Sequence, residues 1–119
     1  MALCARIVRE GAGQVDALES RLIAVLKRCE ADADQLSASI LRERALLESV
    51  DSSLHSAQEV DSVAVGQLQS VAAKMRAILA EKRAALSKTR RLEAECKAER
   101  SRLEAIRATM VAFQDLAHL

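Results

Sequence analysis

Stepping alternately four and three residues along the chain from Leu22 meets Leu22, Leu26, Cys29, Ala33, Leu36, Ile40, Glu43, Leu47, Val50, Leu54 and Ala57. Glu43 alone interrupts this apolar seam. The same phase runs on through Asp61 to Ala64, Leu68, Val71, Met75, Ile78, Lys82, Ala85, Thr89, Leu92, Cys96, Glu99, Leu103, Ile106, Met110, Phe113 and Ala117, with Lys82, Thr89 and Glu99 as exceptions. Strands alternate with period two and isolated amphipathic helices drift at about 3.6, so an apolar period near 3.5 kept this long specifies left-handed coiled coil. The pattern predicts an all-α protein.

Because the phase survives mid-chain, periodicity alone does not separate one very long helix from two that fold back. Charge does. Residues 1–66 carry seven Lys or Arg against eleven Asp or Glu, net −4, and residues 67–119 carry eleven against six, net +5. A parallel in-register pair would lay like charge on like, whereas antiparallel packing lays each half on its complement. Antiparallel packing pairs positions whose numbers sum to a constant. A sum of 125 sets Glu43 opposite Lys82, Cys29 opposite Cys96 and Leu22 opposite Leu103. Shifting by a heptad leaves Glu43 facing Met75 or Thr89, a buried charge without a partner. The heptad-shifted sum of 132 would relieve the like-charge neighbours Asp32 and Glu95, but exposed pairs weigh less than the core.

That register centres the reversal between Ser62 and Val63, inside a stretch dense in turn-formers: Asp51, Ser52, Ser53, Ser56, Asp61, Ser62 and Gly66. The expected architecture is a long antiparallel two-helix coiled-coil hairpin. Residues 1–13 are expected to fray around Gly11 and Gly13. The first helix is expected over about 14–58, a turn over about 59–66 and the second helix over about 66–118. A swapped homodimer of two continuous helices would satisfy the same pairings between chains.

Composition narrows the class further. There is no proline, only three glycines and one aromatic, Phe113, against a half-hydrophobic composition. Aliphatic, alanine-rich chains of this kind build coiled coils rather than deep ligand pockets, and a non-enzymatic protein is expected. The longest apolar runs are four residues, such as Ala77 to Ala80, so no membrane insertion is expected. Arg6 falls where a signal peptide needs its apolar centre, and the expected location is cytoplasmic. An odd, dispersed set of cysteines, Cys4, Cys29 and Cys96, fits reduced thiols better than a disulfide framework.

No constellation for chemistry emerges. His55 and His118 lie far apart, no Cys-x-x-Cys or His-x-x-x-His spacing occurs, and neither catalytic residues nor a metal or cofactor site is expected. The basic run Lys88, Arg90, Arg91 is interleaved with Glu93 and Glu95 and lacks an aromatic platform, so it reads as a solvated face rather than a nucleic-acid site. Glu43 and Lys82 read as a register-fixing pair. Apolar surface beside the seam is the remaining candidate. Val65, Ala72, Leu79 and Leu86 recur every seven residues and are expected to form a partner-binding stripe. Ala17, Ala24, Ala31, Ala38 and Ala45 form a second stripe, explicable by helix propensity alone.

A hairpin rich in Ala, Arg and Glu, with a polar mid-chain turn before a basic second helix, resembles the FliJ/YscO family of type III export proteins. Stretches such as Glu81-Lys82-Arg83-Ala84-Ala85-Leu86 and Glu99-Arg100-Ser101-Arg102-Leu103-Glu104 carry that flavour. The resemblance implies a cytoplasmic stalk that inserts into an export ATPase ring and handles chaperones, peripheral to a membrane-associated complex. The chain is also similar to small coiled-coil subunits of adaptor or tethering complexes in vesicle and organelle trafficking. Its heptads from Leu46 to Leu92 resemble a SNARE motif, a reading ranked last because the sequence stops at Leu119 without an anchor.

Overall fold

The computed structural model describes residues 2–57 and 62–117, and all of them are helical. Helix α1 spans Ala2–Ala57 and α2 spans Ser62–Ala117. The fold is an all-α antiparallel hairpin. Strong helix formers at most positions and the lack of proline let each helix run unbroken, and no glycine takes a positive φ.

Both ends of the expected turn-and-fray map differ from the observed helices. Residues 2–13 belong to α1 rather than to a frayed segment, because the seam continues upstream of Leu22. Glu19, Val15, Ala12 and Val8 are all at least half-covered. Tertiary packing here outweighs the glycine penalty of roughly 1 kcal/mol per residue. Gly11 also lies close under α2: a Cβ built on it would come within 2.5 Å of Met110 Cε. At the other end, Ser62–Gly66 form the start of α2 rather than the end of a turn. Positions 59–61 of the expected turn, with Gln58, lie outside the described residues.

The chain divides into two compact units, one made of Met1–Glu30 with Arg91–Leu119 and the other of Ala31–Arg90. In the first, the buried seam contains Val15, Leu26, Cys29, Cys96 and Leu103, flanked by half-buried Leu22 and Met110. In the second it contains Ile40, Ala72 and Leu79, with Leu36, Leu47, Val50, Leu54, Leu68, Met75 and Leu86 half-buried around them. Burying an aliphatic side chain fully is worth about 1.5–3 kcal/mol. No large side chain among the described residues is fully enclosed in either unit, so each gains only part of that. Two helices alone do not surround a core.

The α1 seam follows the heptad phase read from Leu22. The α2 seam does not. Its covered positions are Ala64, Val65, Leu68, Ala72, Met75, Leu79, Lys82, Leu86 and Thr89 in the second unit and Glu93, Cys96, Arg100, Leu103, Arg107 and Met110 in the first. Every second seam position is thus displaced by one residue from the expected Val71, Ile78, Ala85, Leu92, Glu99 and Ile106, all of which are exposed. The apolar stripe of α2 is two residues wide at Val71-Ala72, Ile78-Leu79 and Ala85-Leu86, so either phase would bury a hydrophobe there. Leu86 gives more apolar surface than Ala85, and Ala72, fully covered, lets the helices approach where Val71 would hold them apart.

Candidate functional site

This displacement corrects the expected partner-binding stripe. Ala72 and Leu79 are buried, at 0% and 5% exposure, and Val65 and Leu86 are half-buried. The four residues are seam, not outer surface, because they hold alternate core positions of α2 opposite α1. The alanine stripe is exposed at Ala17 and Ala24 in the first unit and at Ala31, Ala38 and Ala45 in the second.

Glu43 and Lys82 meet. The Lys82 ammonium donates to Glu43 Oε1 and, at 2.7 Å, to Ser39 Oγ. With side chains 22% and 30% exposed, the pair sits within the seam of the second unit yet keeps a solvent path. The first unit has a counterpart. Arg107, itself a seam position of α2, donates to Asp16 at 2.6 Å and pairs with Glu19 of the α1 seam. Hydrogen bonding to Glu19, above all, holds the Arg107 pKa above its ordinary value despite desolvation. Sequence reasoning missed this pair, because the expected register sets Ile106 opposite Glu19 and only the one-residue displacement of the α2 seam brings Arg107 there.

Around the seam, the two flanks differ. Reversing a helix while keeping its handedness brings equivalent flanking positions of an antiparallel pair onto the same side. Residues just after the seam positions Val50 and Met75 are Asp51 and Arg76, which pair at 2.8 Å. With Arg44, Glu48 and Arg83 they line an open groove of about 380 Å³ in the second unit. In the first unit the corresponding flank carries Glu30 and Lys97, and Lys97 has its pKa raised by a hydrogen bond from its ammonium to Glu93 and by the nearby carboxylates, Glu30 included. This flank is charged.

The other flank, just before alternate seam positions, is apolar. In the second unit it presents Leu46, Val71, Ile78 and Ala85, all exposed. Beside them on the α1 side lies an open groove of about 750 Å³ lined by Asp32, Leu36, Ser39, Arg42 and Thr89 among others. In the first unit the equivalent flank presents Leu18, Val25, Leu92, Ile106 and Phe113, between 38% and 57% exposed, interrupted between Leu92 and Ile106 by the exposed Glu99. These residues, rather than the expected stripe, are the exposed apolar side chains beside the seam. On α2, Val71, Ile78, Ala85, Leu92, Ile106 and Phe113 are residues that the heptad pattern places in the core, whereas Leu18, Val25 and Leu46 of α1 lie beside the expected seam.

Among the described residues no group of three His, Cys, Asp or Glu side chains could hold a metal ion, and no helix is long and apolar enough to cross a membrane. The chain matches no protein-family model, no curated protein and no solved structure.

Proposed function

We propose that the chain is a non-enzymatic coiled-coil module that holds other proteins through its helix faces. The observation that carries this reading is the apolar flank of the second unit, where Leu46, Val71 and Ile78 are 45–58% exposed at heptad-related positions on one side of a two-helix seam. Contiguous apolar surface of this kind marks contact sites, and an added amphipathic helix would cover it by the packing that already joins α1 and α2.

At the finer level we assign the chain to the stalk or chaperone-handling role in a type III export ATPase, in the cytoplasm beside a membrane-associated complex. What supports this is the alanine- and arginine-rich hairpin pattern. The test is affinity capture with the full chain followed by mass spectrometry, comparing native protein with a Val71→Ser, Ile78→Ser variant. Export ATPase and chaperones lost from the variant's eluate would support the reading. A set of small coiled-coil subunits would move the assignment to an adaptor or tethering complex, and capture unchanged by the variant would remove the second unit's flank as the interface.

A further inference from the structure

On the charged flank of the second unit, one interhelical position lacks its carboxylate. Asp51 and Arg76, the residues after the seam positions Val50 and Met75, bond at 2.8 Å. One heptad along, the residues after Glu43 and Lys82 are Arg44 and Arg83, so the position that gives Arg76 a carboxylate gives Arg83 a second guanidinium. The first unit repeats the spacing with Glu30 beside Lys97. Arg44 and Arg83 line the same open groove of about 380 Å³, together with Leu47, Leu79 and Ala80. Neither takes part in an ion pair among the described residues, and Glu48, which also lines the groove, is bonded to neither. Two like charges held side by side cost free energy that a bridging anion removes, and each guanidinium fork can donate two parallel N–H bonds to a carboxylate.

We propose that Arg44 and Arg83 clamp a carboxylate of an acidic partner helix laid along this flank. On α2 the exposed small residues Ala73, Ala80 and Ser87 recur every seven beside the row Arg76, Arg83 and Arg90, so a helix backbone can approach closely there. Carboxylates one heptad apart on that helix meet Arg83 and then Arg90, which the same spacing sets opposite Ser37 rather than an acidic residue. On the α1 side the flank carries Asp34 and Glu48, both exposed. They repel the continuous charge of a nucleic acid or an anionic membrane, but a helix that places its carboxylates singly on the α2 side avoids them. This surface lies across the seam from Val71 and Ile78, so either assignment can fail without the other.

Isothermal titration calorimetry of the full chain tests the proposal, with circular dichroism on each variant as the check on folding. The probe is a synthetic alanine-based helical peptide of three heptads carrying one glutamate per heptad, and the control is its glutamine counterpart. The native chain is expected to bind the glutamate peptide alone, with an affinity that falls as salt rises. Arg44→Ala and Arg83→Ala should each weaken binding about tenfold. Glu48→Gln should tighten it, and Arg42→Ala, on the other flank, should leave it unchanged. Arg44→Glu gives Arg83 a carboxylate of the chain's own, so it should raise the unfolding midpoint while abolishing binding. A native chain that binds neither peptide or both equally, a constant unmoved by Arg44→Ala and Arg83→Ala, or an Arg44→Glu variant that still binds would each overturn the proposal. Inorganic phosphate that displaces the peptide at equal concentration would also overturn it, and would assign the groove to a free oxyanion.

Discussion

Lys82 and Glu43 illustrate how a charged pair can fix register without dominating stability. Each keeps part of its hydration, and Ser39 Oγ accepts a further bond from the ammonium. Glu43→Lys or Lys82→Glu alone should therefore destabilise by about 1–2 kcal/mol, less than for a fully desolvated pair. The double reversal should recover most of that loss in urea denaturation, and additive damage would show that the two side chains do not meet in solution. Adjacent residues of α2 give a sharper contrast. Leu79 is 5% exposed and Ile78 is 45% exposed. Leu79→Ser should lose about 2–5 kcal/mol by opening the seam, while Ile78→Ser should cost about 1 kcal/mol or less. Equal losses at both positions would mean that the α2 phase is wrong. These residues also mark the limit of sequence reading at this scale: the Glu43 to Lys82 pairing follows from complementary charge on two seams, but Ile78 and Leu79 are equally apolar and only packing separates them.

At the scale of the helices, glycine provides the cleanest test of where α1 and α2 begin. Gly13 and Gly66 lie inside helices with nothing within 4 Å of a built Cβ. Gly13→Ala and Gly66→Ala should each stabilise by about 0.5–1 kcal/mol through reduced freedom of the unfolded chain and better helix propensity. At Gly11 the added methyl meets the flexible end of Met110, so Gly11→Ala should gain less than Gly13→Ala. Unfolding midpoints unmoved by Gly13→Ala and Gly66→Ala would place those residues outside the cooperative helices, as turn chemistry read from the sequence suggested for Gly66. Local signals misjudged both ends because propensity at a single glycine is small against a seam that continues past it. Val8, Val15 and Glu19 carry α1 upstream, and Ala64, Val65 and Leu68 carry α2 from its start.

For the whole chain, the question is whether each hairpin closes on itself. Cys29 and Cys96 are both buried in the first unit, and a sum of 125 makes them facing residues. Mild oxidation should give an intrachain Cys29 to Cys96 disulfide if their α-carbons come within about 7 Å. Non-reducing electrophoresis with peptide mapping reads the outcome: a Cys29 to Cys96 bond between chains would reveal helix exchange, and a Cys29 to Cys29 bond would contradict antiparallel packing. Helical content, the antiparallel sense and the α1 seam were legible in the chain itself, because a period near 3.5 and opposite half-charges are one-dimensional patterns that only one kind of packing satisfies. The phase of α2 was not. Val71-Ala72, Ile78-Leu79 and Ala85-Leu86 offer two apolar stripes side by side, and a reversal between helices is free to rotate the second by one residue. Only the packed structure, with Ala72 fully covered and Glu19 meeting Arg107, decided which stripe closes the hairpin and which is left exposed. Choosing between two equally apolar faces depends on how closely the opposing helix can approach, a three-dimensional property that no spacing along the chain records.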